Sequence, residues 1–376
     1  MVAIINECLN GLNHLGDVFT RYAVGAFLQS AVLVIMLFGI DLLLRRRVRA
    51  VFRYCIWLLV LVKLILPPTL SLPTGIGYWV PDRVPVGFVV PEPSADVDPF
   101  AAAEAPLVLP REPSSAVAPA QPAPTAVVPD GPVTPAVVHL TQITGKAILM
   151  LFWLVGMLAF AVVLAQRMRF VRGLVAAGTA AQGQLLDLLE ACRRQIGVRG
   201  RVELRISDAL SSPAVCGLLR PTILMPASLV DKLSPEGLKA TLVHELAHIK
   251  RADLWVNALQ TLLQVVYFYN PFVWFANAMI RRTCEEAVDE TVLVALGGQA
   301  SDYSNTLINI GEMVFWKADF GLRLVGVAES KRALKRRIRH MLTRPIPQNA
   351  RIGVLGTLAI LLVAAVLLPM ARGERS

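Results

Sequence analysis

Four long apolar runs set the frame of the chain. Residues 22–44 are interrupted only by Gln29, Ser30 and Asp41 and close on Arg45-Arg46-Arg47. Residues 54–70 carry a single charge, Lys63, and reach Pro67-Pro68. Residues 147–165 are apolar without a break, and residues 352–370 contain Thr357 as their one polar side chain. Each approaches the roughly 20 residues a helix needs to cross the hydrocarbon core, so the pattern predicts four membrane spans. Between the third and fourth spans the periodicity changes. Leu185, Leu188, Leu189 and Ile196 recur at helical spacing, which predicts a helix over 175–196. Extended runs follow at 201–206 and 214–225, and Pro221 makes the second an edge strand or two short strands. Ser234 is an N-cap candidate with Pro235 at the first helical position, and from there the pattern is helical.

The predicted organisation is an N-terminal region (1–70) holding the first two spans, an outer loop (71–146), the third span, a soluble domain (173–350) and the fourth span. Composition agrees with membrane insertion: 55% of the 376 residues are hydrophobic and the mean hydropathy is +0.57. The net charge of +10 is concentrated beside the apolar runs. Five arginines lie in 45–53, Arg167, Arg169 and Arg172 follow the third run, and seven Lys/Arg occupy 331–344. Basic loops face the cytoplasm, and four spans with both termini outside satisfy all three blocks together. Direct nucleic-acid binding is not expected, because no binding motif or aromatic interleaving accompanies the charge. Residues 91–135 hold 12 of the 25 prolines and predict an extended external spacer. Lys63 and Asp41 are expected to snorkel toward the nearest interface. The five cysteines form no CxxC pair, so neither a disulfide framework nor a cysteine zinc site is expected. The first 21 residues include Glu7 and Asp17 and lack a basic leader, so no cleavable signal peptide is expected.

Chemistry enters at residues 241–250, TLVHELAHIK. His244 and His248 are four apart, so on a helix both imidazoles project from one face toward a single zinc ion, and Glu245 can reach a metal-activated water as the catalytic base. A catalytic zinc site takes three protein ligands plus water. His14 and His139 fall outside the membrane in this topology and His340 lies in the basic block, so a carboxylate is expected as the third ligand. In CEEAVDE (284–290), Glu285 and Asp289 share a helical face. Glu285 is assigned to the metal and Asp289 to orienting a ligand imidazole through its other ring nitrogen; Glu286 is the alternative ligand. Residues 254–280 contain no charge, but a single crossing there would put Glu285 on the opposite side of the membrane from His244. With Asn257, Gln260, Gln264, Asn270 and Pro271 inside it, the segment predicts two helices meeting near Asn270-Pro271. Tyr303 and several arginines are candidates to stabilise an oxyanion.

HELAHIKRADLWVN, YFYNPFVWFA, EEAVDE and SSPAVCGLLRPTILMP together resemble the BlaR/MecR-type membrane metallopeptidases, bacterial antirepressors that respond to beta-lactams. The resemblance covers nearly the whole chain. It implies a multi-span α-helical protein of the bacterial cytoplasmic membrane with a mainly α, gluzincin-like zinc peptidase domain facing the cytoplasm. His244, His248 and Glu285 would be ligands, Glu245 the base and Asp289 the orienting partner. It also implies that the 214–225 segment offers a strand edge to a peptide substrate, and that the target is the protein itself or a cytoplasmic DNA-binding repressor. Self-association into a homo-oligomer is compatible with this picture. The sequence given ends at Ser376, so a penicillin-binding sensor domain after the last span is not expected. A non-catalytic membrane receptor or scaffold, and a quality-control membrane protease, are the competing readings.

Overall fold

The computed structural model describes residues 2–67, 141–297, 303, 306–308, 331–343 and 353–369. The proline-rich spacer lies outside them. Helix α1 (Val2–Leu44) is continuous, at 1.5 Å per residue about 65 Å long, and begins well before the predicted span. Helix α2 (Ala50–Ile65) follows a short arginine-rich turn. Helix α3 (Gly145–Ala177) is capped by Thr144, whose hydroxyl accepts from the Ala147 amide, and continues past residue 165. α1 and α3 meet backbone to backbone at Gly16, where a Cβ would collide with Lys146 and Ala147. Of the described helices, α1 and α3 are long and apolar enough to cross a membrane. α2 and the C-terminal helix α10 (Val354–Leu367) overlie the second and fourth apolar runs and are shorter than a full crossing.

The helix expected over 175–196 is broken. The chain leaves α3 at Gly178, forms the two-residue strand β1 (Thr179–Ala180), turns through Gly183 at φ +61° and enters helix α4 (Gln184–Ile196), which Gly197 ends in the left-handed conformation. The cause is tertiary: β1 pairs antiparallel with β2 (Glu203–Ser207), which competes with local helical preference. The run 214–225 divides into β3 (Ala214–Cys216) and β4 (Thr222–Pro226). Gly217 at φ +87° makes the turn, because a Cβ there would strike the Arg220 carbonyl. The sheet order is β1-β2-β4-β3 with β2 and β4 parallel, so β3 is an edge strand and Pro221 precedes the inner strand without breaking its ladder.

Helix α5 (Ala227–Lys232) leads to α6 (Pro235–Lys250), then α7 (Asp253–Val266), α8 (Pro271–Leu296) and α9 (Lys331–Thr343). The apolar stretch 254–280 breaks where the sequence places it: the Asn270 side chain caps α8 by accepting from the Phe272 amide, and Pro271 occupies the first turn. Two extended hydrophobic cores result among the described residues, beside a small cluster of Ala50, Val51 and Ala287. One joins α1, α2, α7, α10 and the first half of α8 through Leu33, Leu37, Trp57, Val60, Val273 and Ile280. The other joins α4, the sheet, α6, α9 and the second half of α8 through Leu189, Ile223, Met225, Leu246, Val288 and Val292. α8 belongs to both.

Two charges within the apolar runs depart from expectation. Asp41 does not snorkel: it is buried and takes a two-point contact from Arg53 of α2, at 2.6 and 3.1 Å. Lys63 is buried too, donating to the Leu368 carbonyl at 2.9 Å. Partners from neighbouring helices satisfy both groups, so neither needs the interface.

Candidate metal centre

Helix α6 is fixed at its start by Ser234, whose hydroxyl accepts from the Gly237 amide at 3.2 Å. Its apolar face, Leu242, Val243, Leu246 and Ala247, is fully buried. That anchoring turns His244 and His248 toward Glu285 of α8. The two imidazole centroids are 5.0 Å apart and nearly perpendicular. Glu285 reaches both: its Oε2 lies 3.6 Å from His244 Nε2 and its Oε1 3.7 Å from His248 Nε2. In a tetrahedral zinc site with ligands at 2.0–2.1 Å, ligand atoms lie about 3.3 Å apart. The three groups therefore fit a zinc-sized ion with small adjustment, and their ligand atoms all fall within 4.8 Å of one another. Burial alone would raise the Glu285 carboxyl, but Arg337 and the two imidazoles hold it well below the usual carboxylate range, in the charged form a metal requires.

Because both histidines present Nε2 inward, Nδ1 is left for a partner that sets the tautomer. His244 Nδ1 meets the Tyr303 hydroxyl at 2.7 Å, and that hydroxyl donates to Asp289 Oδ1 at 2.6 Å. Asp289 Oδ1 itself is 3.7 Å from His244 Nδ1, so Asp289 orients the imidazole through Tyr303 rather than by direct contact. The Tyr303 hydroxyl, one of the oxyanion candidates, is thus hydrogen-bonded to both His244 and Asp289. Arg337 of α9 closes the group, donating through Nε and Nη2 to Asp289 at 2.9 and 2.7 Å and approaching Glu285 Oε2 with Nη1 at 3.3 Å.

His248 is held differently. Its Nδ1 is 3.0 Å from Asp253 Oδ2. Asp253 is brought back onto the helix end by Ala252, which sits in the left-handed region at φ 58° without being glycine, a local strain of the kind that collects at functional sites. Arg251 Nε also donates to Asp253 Oδ2 at 3.2 Å, and the Tyr54 hydroxyl donates to Oδ1 at 3.1 Å. Burial would lower the His248 imidazole, yet its hydrogen bonds to Asp253 and Cys284 raise it well above its ordinary value. Burial pushes the neighbouring Cys284 thiol up to about 11.

Glu286, the alternative ligand, points away: Arg53 Nη1 holds it at 2.7 Å and Arg282 Nε at 3.0 Å. Glu245 is buried beside edge strand β3; after burial itself, its charge is what raises the Cys216 thiol. Sequence reasoning missed Asp253, Tyr54 and Arg337. Asp253 left a faint signal, a carboxylate just past the end of the ligand helix. Arg337 was hidden in a block read as a basic loop. It is instead on the inner face of an amphipathic helix with Leu334, Ile338 and Met341.

The chain matches the family described as BlaR1 peptidase M56 over residues 22–341. It is 34% identical over 113 residues to the regulatory protein BlaR1 of Bacillus licheniformis, covering 30% of this chain and 19% of that protein. It is 23% identical over 149 residues to the methicillin resistance mecR1 protein of Staphylococcus aureus, covering 39% of this chain and 25% of that protein. The matched stretches thus span no more than a quarter of the length of these relatives.

Proposed function

Since the chain belongs to the M56 family of peptidases, we propose that it is a membrane-embedded, zinc-dependent endopeptidase with its centre on the cytoplasmic side. The observation that carries this reading is the convergence of His244 Nε2 and His248 Nε2 on the two oxygens of Glu285. Zinc held there would supply a water of lowered pKa and Lewis acidity toward a peptide carbonyl. Glu245, on the same helix as the two histidines, would serve as the general base toward that water and as the proton donor to the leaving amine. Tyr303 and Asp253 keep both ligand imidazoles in the tautomer that presents Nε2. β3 offers its outer edge to an extended peptide, whose backbone would pair with it beside Glu245.

Membrane embedding rests on α1 and α3, the two helices of sufficient length and apolarity. Orientation rests on the basic loops. The relatives' names, a regulatory protein and a methicillin resistance protein, support a role in signalling. The substrate proposed is this chain itself or a cytoplasmic DNA-binding repressor. The test is zinc content and proteolysis of the full chain in detergent. Wild type should retain about one zinc, Glu285→Ala should lose it, and Glu245→Gln should keep it while losing about 10²–10⁴-fold in cleavage rate. Well-folded wild type without metal would sink the peptidase reading in favour of a non-catalytic scaffold.

A further inference from the structure

Helix α2 touches the metal centre's supports at three points. The Tyr54 hydroxyl donates to one oxygen of Asp253 while the other oxygen holds His248 Nδ1, so a single carboxylate links the membrane helix to a ligand. Arg53 bridges Asp41 of α1 and Glu286 of α8, the residue next to ligand Glu285; all three side chains are buried. The Ala50 amide, at the start of α2, donates to Glu290 Oε1 at 3.1 Å. Between these contacts Ala50 and Val51 pack on Ala287, midway between Glu285 and Asp289. Buried ion pairs seldom out-stabilise apolar packing of the same volume. Their placement around the ligand-bearing turn instead fixes the register of α2 against α8.

We propose that Tyr54 is a positioning residue for the metal centre, acting through Asp253 on His248, and that the α1–α2 hairpin thereby sets ligand geometry. The inference rests on the zinc peptidase reading above. It gives the apolar N-terminal helices a task besides anchoring: a shift of α2 along α8 moves Tyr54 off Asp253, and the carboxylate that orients His248 loses one of the partners fixing it. A signal arriving through the spans would reach the chemistry by this route.

The test uses the full chain in lipid nanodiscs with zinc affinity read by chelator competition, and with the absorption spectrum of the cobalt-substituted protein reporting ligand geometry. Tyr54→Phe removes one oxygen and keeps the ring. It is expected to weaken zinc binding about tenfold, as loss of an outer partner does, and to alter the cobalt spectrum. In an Asp253→Asn background the same change should add nothing, because both act through one carboxylate. Wild-type affinity and an unchanged spectrum in Tyr54→Phe overturn the inference, as does a loss that adds fully to that of Asp253→Asn. Absence of metal from the wild type would overturn the peptidase reading and this inference with it, whereas equal zinc affinity in metal-loaded wild type and Tyr54→Phe overturns this inference alone.

Discussion

His244 and His248 sit one turn apart on α6, yet opposite parts of the chain support them. His244 leans on Tyr303, Asp289 and Arg337, residues that follow it in the sequence and end on α9. His248 leans on Asp253 and through it on Tyr54, a residue of the N-terminal hairpin. The first support is a closed ion-pair cluster built within the peptidase core. The second crosses from that core to the apolar helices. Two histidines of one helix can therefore differ in what disturbs them: loosening α9 should act on His244, and loosening α2 on His248.

The largest effect expected is from Arg337→Ala, which leaves Asp289 buried without its cation. Removing one partner of a buried pair costs about 3–5 kcal/mol, so the melting temperature in detergent should fall sharply, while a melting curve like wild type would show that the first support is not an ion-pair cluster in function. Glu285→Ala removes the group both imidazoles share and should weaken zinc binding more than the roughly 100-fold at the upper end for outer partners. Asp253→Asn should weaken it about 10–100-fold, and Tyr303→Phe about tenfold. The comparison itself is tested by joining the last two. Independent supports predict free-energy losses that add within about 0.3–0.5 kcal/mol, and a strong departure from additivity would mean one connected network. The smallest effect concerns protons. His248 is held protonated above its ordinary value, and metal binding requires it neutral, so zinc uptake near neutral pH should release a proton. Calorimetry in buffers of different ionisation enthalpy should detect that release, and it should shrink in Asp253→Asn, where the anionic partner is gone.

What could be read from the sequence followed from local geometry. The pairs His244/His248 and Glu285/Asp289 are legible because helical spacing alone puts each on one face, and Glu245 because it adjoins the first histidine. The break at Asn270-Pro271 was legible because cap and proline are adjacent. Asp289 was placed on the right face, but the Tyr303 hydroxyl between it and His244 depends on where a distant residue returns. Tyr54 and Arg337 lie far from α6 along the chain, and nothing in their own neighbourhoods marks them. Asp41 and Lys63 looked like interface-seeking charges because their partners, Arg53 and the Leu368 carbonyl, come from other helices. The helix expected from 175 failed for the same reason, since β2 claims Thr179 and Ala180.

The dependence of the centre on both ends of the chain bears on its biosynthesis. Domains fold from the N-terminus as they emerge during translation. By the time α8 has emerged, His244, His248 and Glu285 have all been made, and so has the Tyr54–Asp253 support. Tyr303 and Arg337 have not. His244 gains its hydroxyl partner only when Tyr303 follows, and Asp289 and Glu285 gain their guanidinium later still, with α9. The order of synthesis thus supplies the His248 support first and the His244 support last, so a chain stopped after α8 would carry one half of the centre's scaffolding without the other.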